Sequence, residues 1–353
     1  MLVAANSSHI KTVRAVPSCR FLPLTPLVRD IFDSRPDQYR SLARGITVPE
    51  AFRLRVDALR GALESFRPDL VFVDHGPTGA ERELIPLLEA IDAGPAFGRP
   101  RLVLGLRDIY GEAGWTMQDW RRLGAHEVLP IYDLVLVFGD PAVTTTAQEI
   151  GLHEELGGKL EHTGYLGQHL ARSRKNDRGE PPPILVTAGG GYDGAMFLEQ
   201  FVEFLERRGK QRRFRARILT GPFLSRSQLR SLKQRCSGLG PVEVTAYTRR
   251  MERMLSEAAG VVCMAGYNSM VEVISAQVPA LVVPRISPSQ EQVIRAQRLS
   301  EPGGLRWCIP GPGALSSIDA LVDEVADDAP RKNESSVDLG GISRSVKLIQ
   351  SLL

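Results

Sequence analysis

Short runs of Val, Leu and Ile alternate with helical stretches along the whole chain, and this alternation restricts the fold more than any other feature of the sequence. "DLVFVD" (69–74), "RLVLGL" (101–106) and "DLVLVF" (133–138) are apolar at successive positions. A strand with one wet face alternates apolar with polar residues, so runs like these predict strands covered on both faces, as in a parallel sheet. "AFRLRVDALRGALESF" (51–66) and "ELIPLLEAI" (83–91) carry helical spacing between them. The second half repeats the rhythm with "ILVTA" (184–188), "ARILT" (216–220), "VEVTAY" (242–247), "GVVCM" (260–264) and "ALVVP" (280–284). Strand–helix repeats of this kind predict an α/β chain, and 353 residues suffice for two doubly wound domains.

The domain limits follow from composition. "QHLARSRKNDRGEPPP" (168–183) is polar, charged and ends in prolines, which predicts an exposed linker between a first domain over 1–167 and a second over 184–330. In the tail, 331–353, a polar stretch precedes "GISRSVKLIQSLL", whose Ile342, Val346, Ile349 and Leu353 share one helical face and should dock. The start is unusual, because the first glycine of the chain is Gly45. "LVAA" (2–5) can form a strand, but "NSSHIKTVRAVPSC" after it offers no glycine for a tight turn. Either the first domain opens with a non-standard element, or its opening strand and Gly-rich loop are missing; the second reading is preferred.

Composition narrows the function. A net charge of +3 with no basic and aromatic tract gives no case for nucleic acid. Cys19, Cys236, Cys263 and Cys308 are widely spaced and form no CxxC, which suits reduced thiols better than disulfides or a metal cluster. No apolar run approaches the roughly 18 residues of a membrane span, and the start lacks a secretory leader, so a soluble cytoplasmic chain is expected. "RRGKQRRFRAR" (207–217) reads first as a solvated helix end; peripheral contact with anionic lipid is the second reading.

Chemistry concentrates in the second half. In "VTAGGGYDGA", Gly189, Gly191 and Gly194 satisfy G-x-G-x-x-G. A nicotinamide site also needs an acidic residue at the end of the next strand, and "LTGPF" (219–223) has none. No Gly-Lys-Ser/Thr closes the loop, so a P-loop is excluded as well. Two readings remain: a tight strand-to-helix turn without a ligand, or backbone amides and a helix start aimed at a phosphate. "CMAGYNSMVEV" (263–273) places a second helix start after another strand, and two such starts suit a pyrophosphate. Ser269 and Glu272 fit an S-x-x-E capping box, which spacing alone favours over Glu272 holding a ribose. Asp74, His75 and Asp108 follow strand ends, where α/β sheets present their ligands; each is equally a turn or cap residue.

From about Pro183 to Pro310 the chain resembles the C-terminal, donor-binding domain of glycosyltransferase family 28, in which the peptidoglycan UDP-N-acetylglucosamine transferase is found. The matching order is "VTAGGGYDGA", "LTGP", "VTAYTRRM", "CMAGYNSMVEV" and "VPALVVPRISPSQEQVIRAQRL". "RPDLVFVD", "RLVLGLRDI", "VFGDPAV" and "HTGYLG" are similar to a subgroup of that family described mainly from sequence. The resemblance implies the GT-B architecture, two Rossmann-like domains facing a cleft, with the last helix crossing back to the first domain. It implies that Gly189, Gly190, Gly191 and Asp193 form the loop near a diphosphate, and that Tyr247 and Thr248 meet the base. Ala265, Gly266, Tyr267, Asn268 and Ser269 would line the phosphates, Glu272 would hold the ribose, and Gln290, Glu291 and Gln292 would read the sugar hydroxyls.

The implied activity is inverting transfer of a hexosyl group, with N-acetylglucosamine as a candidate, from a nucleotide-diphosphate sugar to an unidentified acceptor. A UDP-sugar is the first choice, with no cofactor and no metal. The departures bear on catalysis: Arg295 stands where peptidoglycan members have Asn, and "GYLGQ" lacks the basic residue often found after the interdomain turn. The family's His-bearing loop after the first strand has no counterpart here. Asp74, His75 and Asp108 are then the candidates for the base that inversion requires. The rival readings are a catalytically impaired sugar-nucleotide-binding protein or partner subunit, and, third, an NAD-dependent oxidoreductase.

Overall fold

The computed structural model describes residues 1–7, 18–29, 39–170, 183–209, 214–326 and 334–353. Most of the predicted linker and part of the basic run therefore lie outside the described residues. The first domain opens with a parallel pair, β1 (Leu2–Asn6) and β2 (Arg20–Leu24), and an antiparallel pair, β3 (Leu27–Arg29) and β4 (Tyr39–Ser41). The strand that "LVAA" can form is present as β1. It pairs with β2 rather than with the main sheet, and no glycine lies between the two strands.

The main sheet of this domain is parallel, in the order β5 (Leu70–Asp74), β6 (Arg101–Arg107), β7 (Leu134–Phe138), β8 (Leu160–His162). β7 is buried at every position, as its unbroken apolar run requires. The helix Val48–Phe66 enters through a Thr47 cap with Pro49 in its first turn, and carries the buried Arg55–Glu83 ion pair at 2.5 Å.

The second domain holds a six-stranded parallel sheet in the order β11 (Val242–Thr245), β10 (Arg215–Leu219), β9 (Pro183–Thr187), β12 (Gly260–Cys263), β13 (Ala280–Val282), β14 (Arg306–Trp307). The order reverses between β9 and β12, and in open parallel sheets the crevice beyond such a reversal is where ligands bind. Helices Ala195–Arg208 and Pro312–Ala326 cover one face with Phe197, Phe201, Phe204 and Ile318.

The other faces of both sheets meet in one continuous core. Leu134, Leu136 and Phe138 of the first domain join Val271, Ile274 and Leu299 of the second. The last helix, Gly341–Leu352, docks on this shared core, but not by the predicted face: Ile342, Val346 and Leu353 are exposed. Gly341 donates its amide to the Tyr165 carbonyl, and its lack of a side chain lets the helix lie against Gly164 and Tyr165. That contact turns Ser345, Leu348 and Leu352 inward, leaving Ile349 as the one residue of the predicted face against the core. Among the described residues no helix is long and apolar enough to cross a membrane.

At the centre of the domain contact, Asp108 just after β6 meets Arg295 of the helix Glu291–Ser300, and both side chains are 0% exposed. Arg295 Nη2 lies 2.8 Å and Nε 3.1 Å from Asp108 Oδ1. The Tyr165 hydroxyl donates to Asp108 Oδ2 at 3.1 Å, and Arg295 also donates to the carbonyls of Ile109 and Ala265. Removing one partner of such a pair strands a buried charge, at a cost of about 3–5 kcal/mol. Asp108→Asn should therefore lower unfolding free energy in denaturant titrations by several kcal/mol, and replacing Asp108 and Arg295 together by apolar residues should recover part of the loss. A loss under about 1 kcal/mol for the single variant would contradict a fully desolvated pair.

Candidate functional site

The site forms because β9 and β12 are adjacent, parallel and in register at Thr187 and Cys263, so the loops after them leave the sheet side by side. Each loop runs into a helix, Ala195–Arg208 and Tyr267–Ala276. A Cβ built on Gly189 would sit 3.3 Å from Ser269 Oγ, so the Gly-rich loop and the second helix start touch. Neither start has a side-chain cap, and their first-turn amides remain available at the sheet edge. Gly189 and Gly190 are exposed there. Gly191 has a φ of 87°, and a Cβ on it would run into the Thr220 carbonyl, so the loop must be bare to pack on Thr220 and Gly221.

Glu272 projects from the second helix. The capping-box reading fails here, because the helix begins at Gly266 and Tyr267, which places Ser269 inside the first turn and buries it. No described residue hydrogen-bonds the Glu272 carboxylate. Burial, and then the charge of Glu252, push its pKa up to about 7. A half-buried carboxyl with unused acceptors suits a ligand that brings hydroxyl donors.

The remaining donor-side residues divide by what they touch. Tyr247 is exposed beyond β11, and Thr248 Oγ1 accepts from the Arg250 amide at 3.0 Å. Asn268 is exposed at the helix start, beside Gly266. Ala265 is buried and gives its carbonyl to Arg295. The Tyr267 ring turns away from the phosphate-side edge: its hydroxyl accepts from the Leu166 amide, it stacks on Tyr165 at 5.8 Å, and Arg107 lies 5.2 Å above it. Only its backbone stays at the helix start. Gln292 is buried and accepts from the Arg285 amide, Gln290 donates to the Ile286 carbonyl, and Glu291 pairs with Arg295 at 2.7 Å. Asp193, in the Gly-rich loop, pairs with Arg285 at 2.7 Å.

On the first domain, the three candidate bases separate. Asp108 is committed to Arg295 and Tyr165 and has no exposed surface, which removes it as a proton acceptor. Asp74 is exposed and 3.9 Å from Arg107. His75 adopts a φ of 75°, a left-handed conformation that costs a residue with a side chain about 1–3 kcal/mol. Its ring stacks on Tyr110 at 4.8 Å, and Tyr110 donates its hydroxyl to the His75 carbonyl at 2.7 Å. Desolvation in the cleft, followed by the Arg107 charge, lowers its pKa, and the charges of Glu291 and Arg295 across the cleft also reach it. A neutral imidazole facing the second domain can accept a proton.

Two residues that the sequence did not assign to the site make ion pairs in and beside it, Arg295 with Asp108 and Arg285 with Asp193. Arg295 was visible only as a departure, although it falls with Gln292, Ala296 and Leu299 on the buried stripe of its helix, where an unpaired arginine is not tolerated. Arg285 gave no signal, since its partner Asp193 is far away in sequence and comes near only through the order of β9, β12 and β13.

Comparison with known proteins agrees with this architecture. Residues 184–344 match the glycosyltransferase family 28 C-terminal domain. The fold is similar to that of CalG4, the calicheamicin glycosyltransferase, at TM-score 0.58 and 16% identity, covering 99% of this chain and 89% of that one. It is similar to Acinetobacter baumannii MurG at 0.52 and 16%, covering 99% and 98%. It is also similar to a UDP-GlcNAc 2-epimerase from Neisseria meningitidis at 0.59 and 12%, again covering 99% and 98%. No curated protein matches in sequence. These likenesses establish the GT-B fold, two Rossmann-like domains facing a cleft.

The Glu272 pKa sets a pH dependence. Ribose hydroxyls donating to the carboxylate favour its charged form, so nucleoside diphosphate affinity should rise severalfold as pH climbs through about 7. Calorimetry on Glu272→Gln should show a flatter profile, and 2′-deoxy ligands should mimic that flattening on the native protein.

Proposed function

We propose that this chain, whose residues 184–344 match the glycosyltransferase family 28 C-terminal domain on a GT-B fold, is a glycosyltransferase that transfers a hexosyl group from a nucleotide-diphosphate sugar with inversion. The observation that carries this reading is the meeting of two uncapped helix starts at the β9–β12 reversal, with Glu272 beside them. Backbone amides there would approach the diphosphate, and Glu272 would take the ribose hydroxyls. UDP-N-acetylglucosamine is the first donor to test, since a protein of this fold is bound to it. The base contact at Tyr247 and Thr248 leaves the choice of nucleobase to experiment.

His75 is the proposed base. As the acceptor oxygen attacks the anomeric carbon, its proton passes to the neutral imidazole, and the bonding pair to the sugar leaves on the diphosphate. Tyr110 fixes the ring by stacking and by its bond to the His75 carbonyl. The nicotinamide reading loses support because Thr220 and Gly221 pack on the Gly-rich loop where a ribose-binding acid would stand.

The test is release of nucleoside diphosphate from a panel of nucleotide sugars, with products resolved so that epimerisation of the donor is told apart from transfer. Native protein should turn over at least one donor, and His75→Gln should lower kcat by about 10²–10⁴ with donor affinity kept. Because the His75 pKa is lowered, the acid limb of the native rate profile should fall below the ordinary imidazole value. Donor binding without turnover would instead favour the sugar-nucleotide-binding protein.

A further inference from the structure

The departing diphosphate gains negative charge as the sugar leaves, and a site lined by Asp193, Glu272 and Glu291 is poorly suited to take it by backbone amides alone. The interdomain turn Tyr165–Gln168 carries no basic side chain. Arg295 has its nitrogens committed to Asp108, Glu291 and the carbonyls of Ala265 and Ile109. Arg107 lies over Tyr267, on the first-domain side.

Arg285 differs from both. It follows β13, which pairs with β12, so it stands at the same sheet edge as the two helix starts. Its side chain is 15% exposed, and its contacts are loose for so enclosed an arginine. Nε lies 2.7 Å from Asp193 Oδ2, but the N–H is not aimed at that oxygen, and the buried Nε has no hydrogen-bond acceptor. The remaining contacts are long, 3.5 Å from Nη1 to the Ser287 carbonyl and 3.8 Å from Nη2 to Glu291. A buried, poorly satisfied N–H beside an anion-binding loop is an energetic deficit that a ligand oxygen can repair.

We infer that Arg285 is the cation that receives the β-phosphate of the nucleoside diphosphate, with Asp193 holding the guanidinium at the loop until the ligand arrives. The inference rests on the proposed donor site. In the transfer step the bond from anomeric carbon to β-phosphate oxygen breaks, the bond from anomeric carbon to acceptor oxygen forms, and the acceptor proton goes to His75. The electron pair left on the β-phosphate oxygen is what Arg285 would stabilise. Asp193 then acts as a competitor for the guanidinium, which a purely structural ion pair would not be.

The experiment is calorimetry with UDP, GDP and ADP, each beside its monophosphate, at low salt. Native protein should prefer one diphosphate to its monophosphate. Arg285→Gln should lose roughly ten-fold in diphosphate affinity or more, the worth of one charge-assisted hydrogen bond, while monophosphate affinity stays within about two-fold. Arg285→Lys should fall between. Asp193→Asn should tighten the diphosphate by releasing its competitor. If native protein binds no nucleotide, the donor-site reading fails and this inference with it. If native protein prefers the diphosphate and Arg285→Gln keeps that preference, or Asp193→Asn weakens it, the inference alone is overturned.

Discussion

The ion pair between Asp108 and Arg295 decides how the two sheets face each other. Burying two charges costs several kcal/mol per ion, so the pair persists only because each partner is satisfied several times over, by Tyr165 on one side and by two carbonyls and Glu291 on the other. One of those carbonyls belongs to Ala265, directly before the second helix start. The arginine that joins the domains therefore also holds the loop proposed to meet the phosphates. Glu291, which shares Arg295 with Asp108, acts electrostatically on His75.

This coupling gives the cleft a division of labour. In the proposed reading the second domain offers amides, Glu272 and Arg285 to a charged donor, from three neighbouring strand ends. The first domain would offer His75, the proposed base, at a strand end beside Tyr110, whose ring meets that of Trp120 edge to face at 5.5 Å. The Gly-rich loop itself is shaped by packing, since Gly191 has room for nothing larger beside Thr220. The Asp193–Arg285 pair joins that loop to the segment bearing Gln290 and Gln292.

Much of the fold was legible because parallel strands buried on both faces leave unbroken apolar runs, as "LVLVF" does at β7 and "ILVT" at β9. The two helix starts were legible too, since glycines after a strand mark where backbone must come close to something. Three features were not. The docking face of the last helix is set by Gly341 lying against Gly164 and Tyr165, a close approach that apolar spacing does not encode. Asp108 looked like any acid after a strand, because its partner lies 187 positions away. The pairing of β1 with β2, outside the main sheet, is not written in "LVAA", whose apolar run suits either placement.

The account stands or falls on whether both helix starts engage one ligand. Hydrogen exchange followed by mass spectrometry, with and without a saturating nucleoside diphosphate, measures this at the amides concerned. Peptides covering Gly189–Ala195 and Gly266–Ser269 should slow together on adding the ligand, and a nucleoside alone should slow neither to the same degree. Protection confined to one of the two segments, or to neither while the ligand is bound, would contradict a diphosphate held between them.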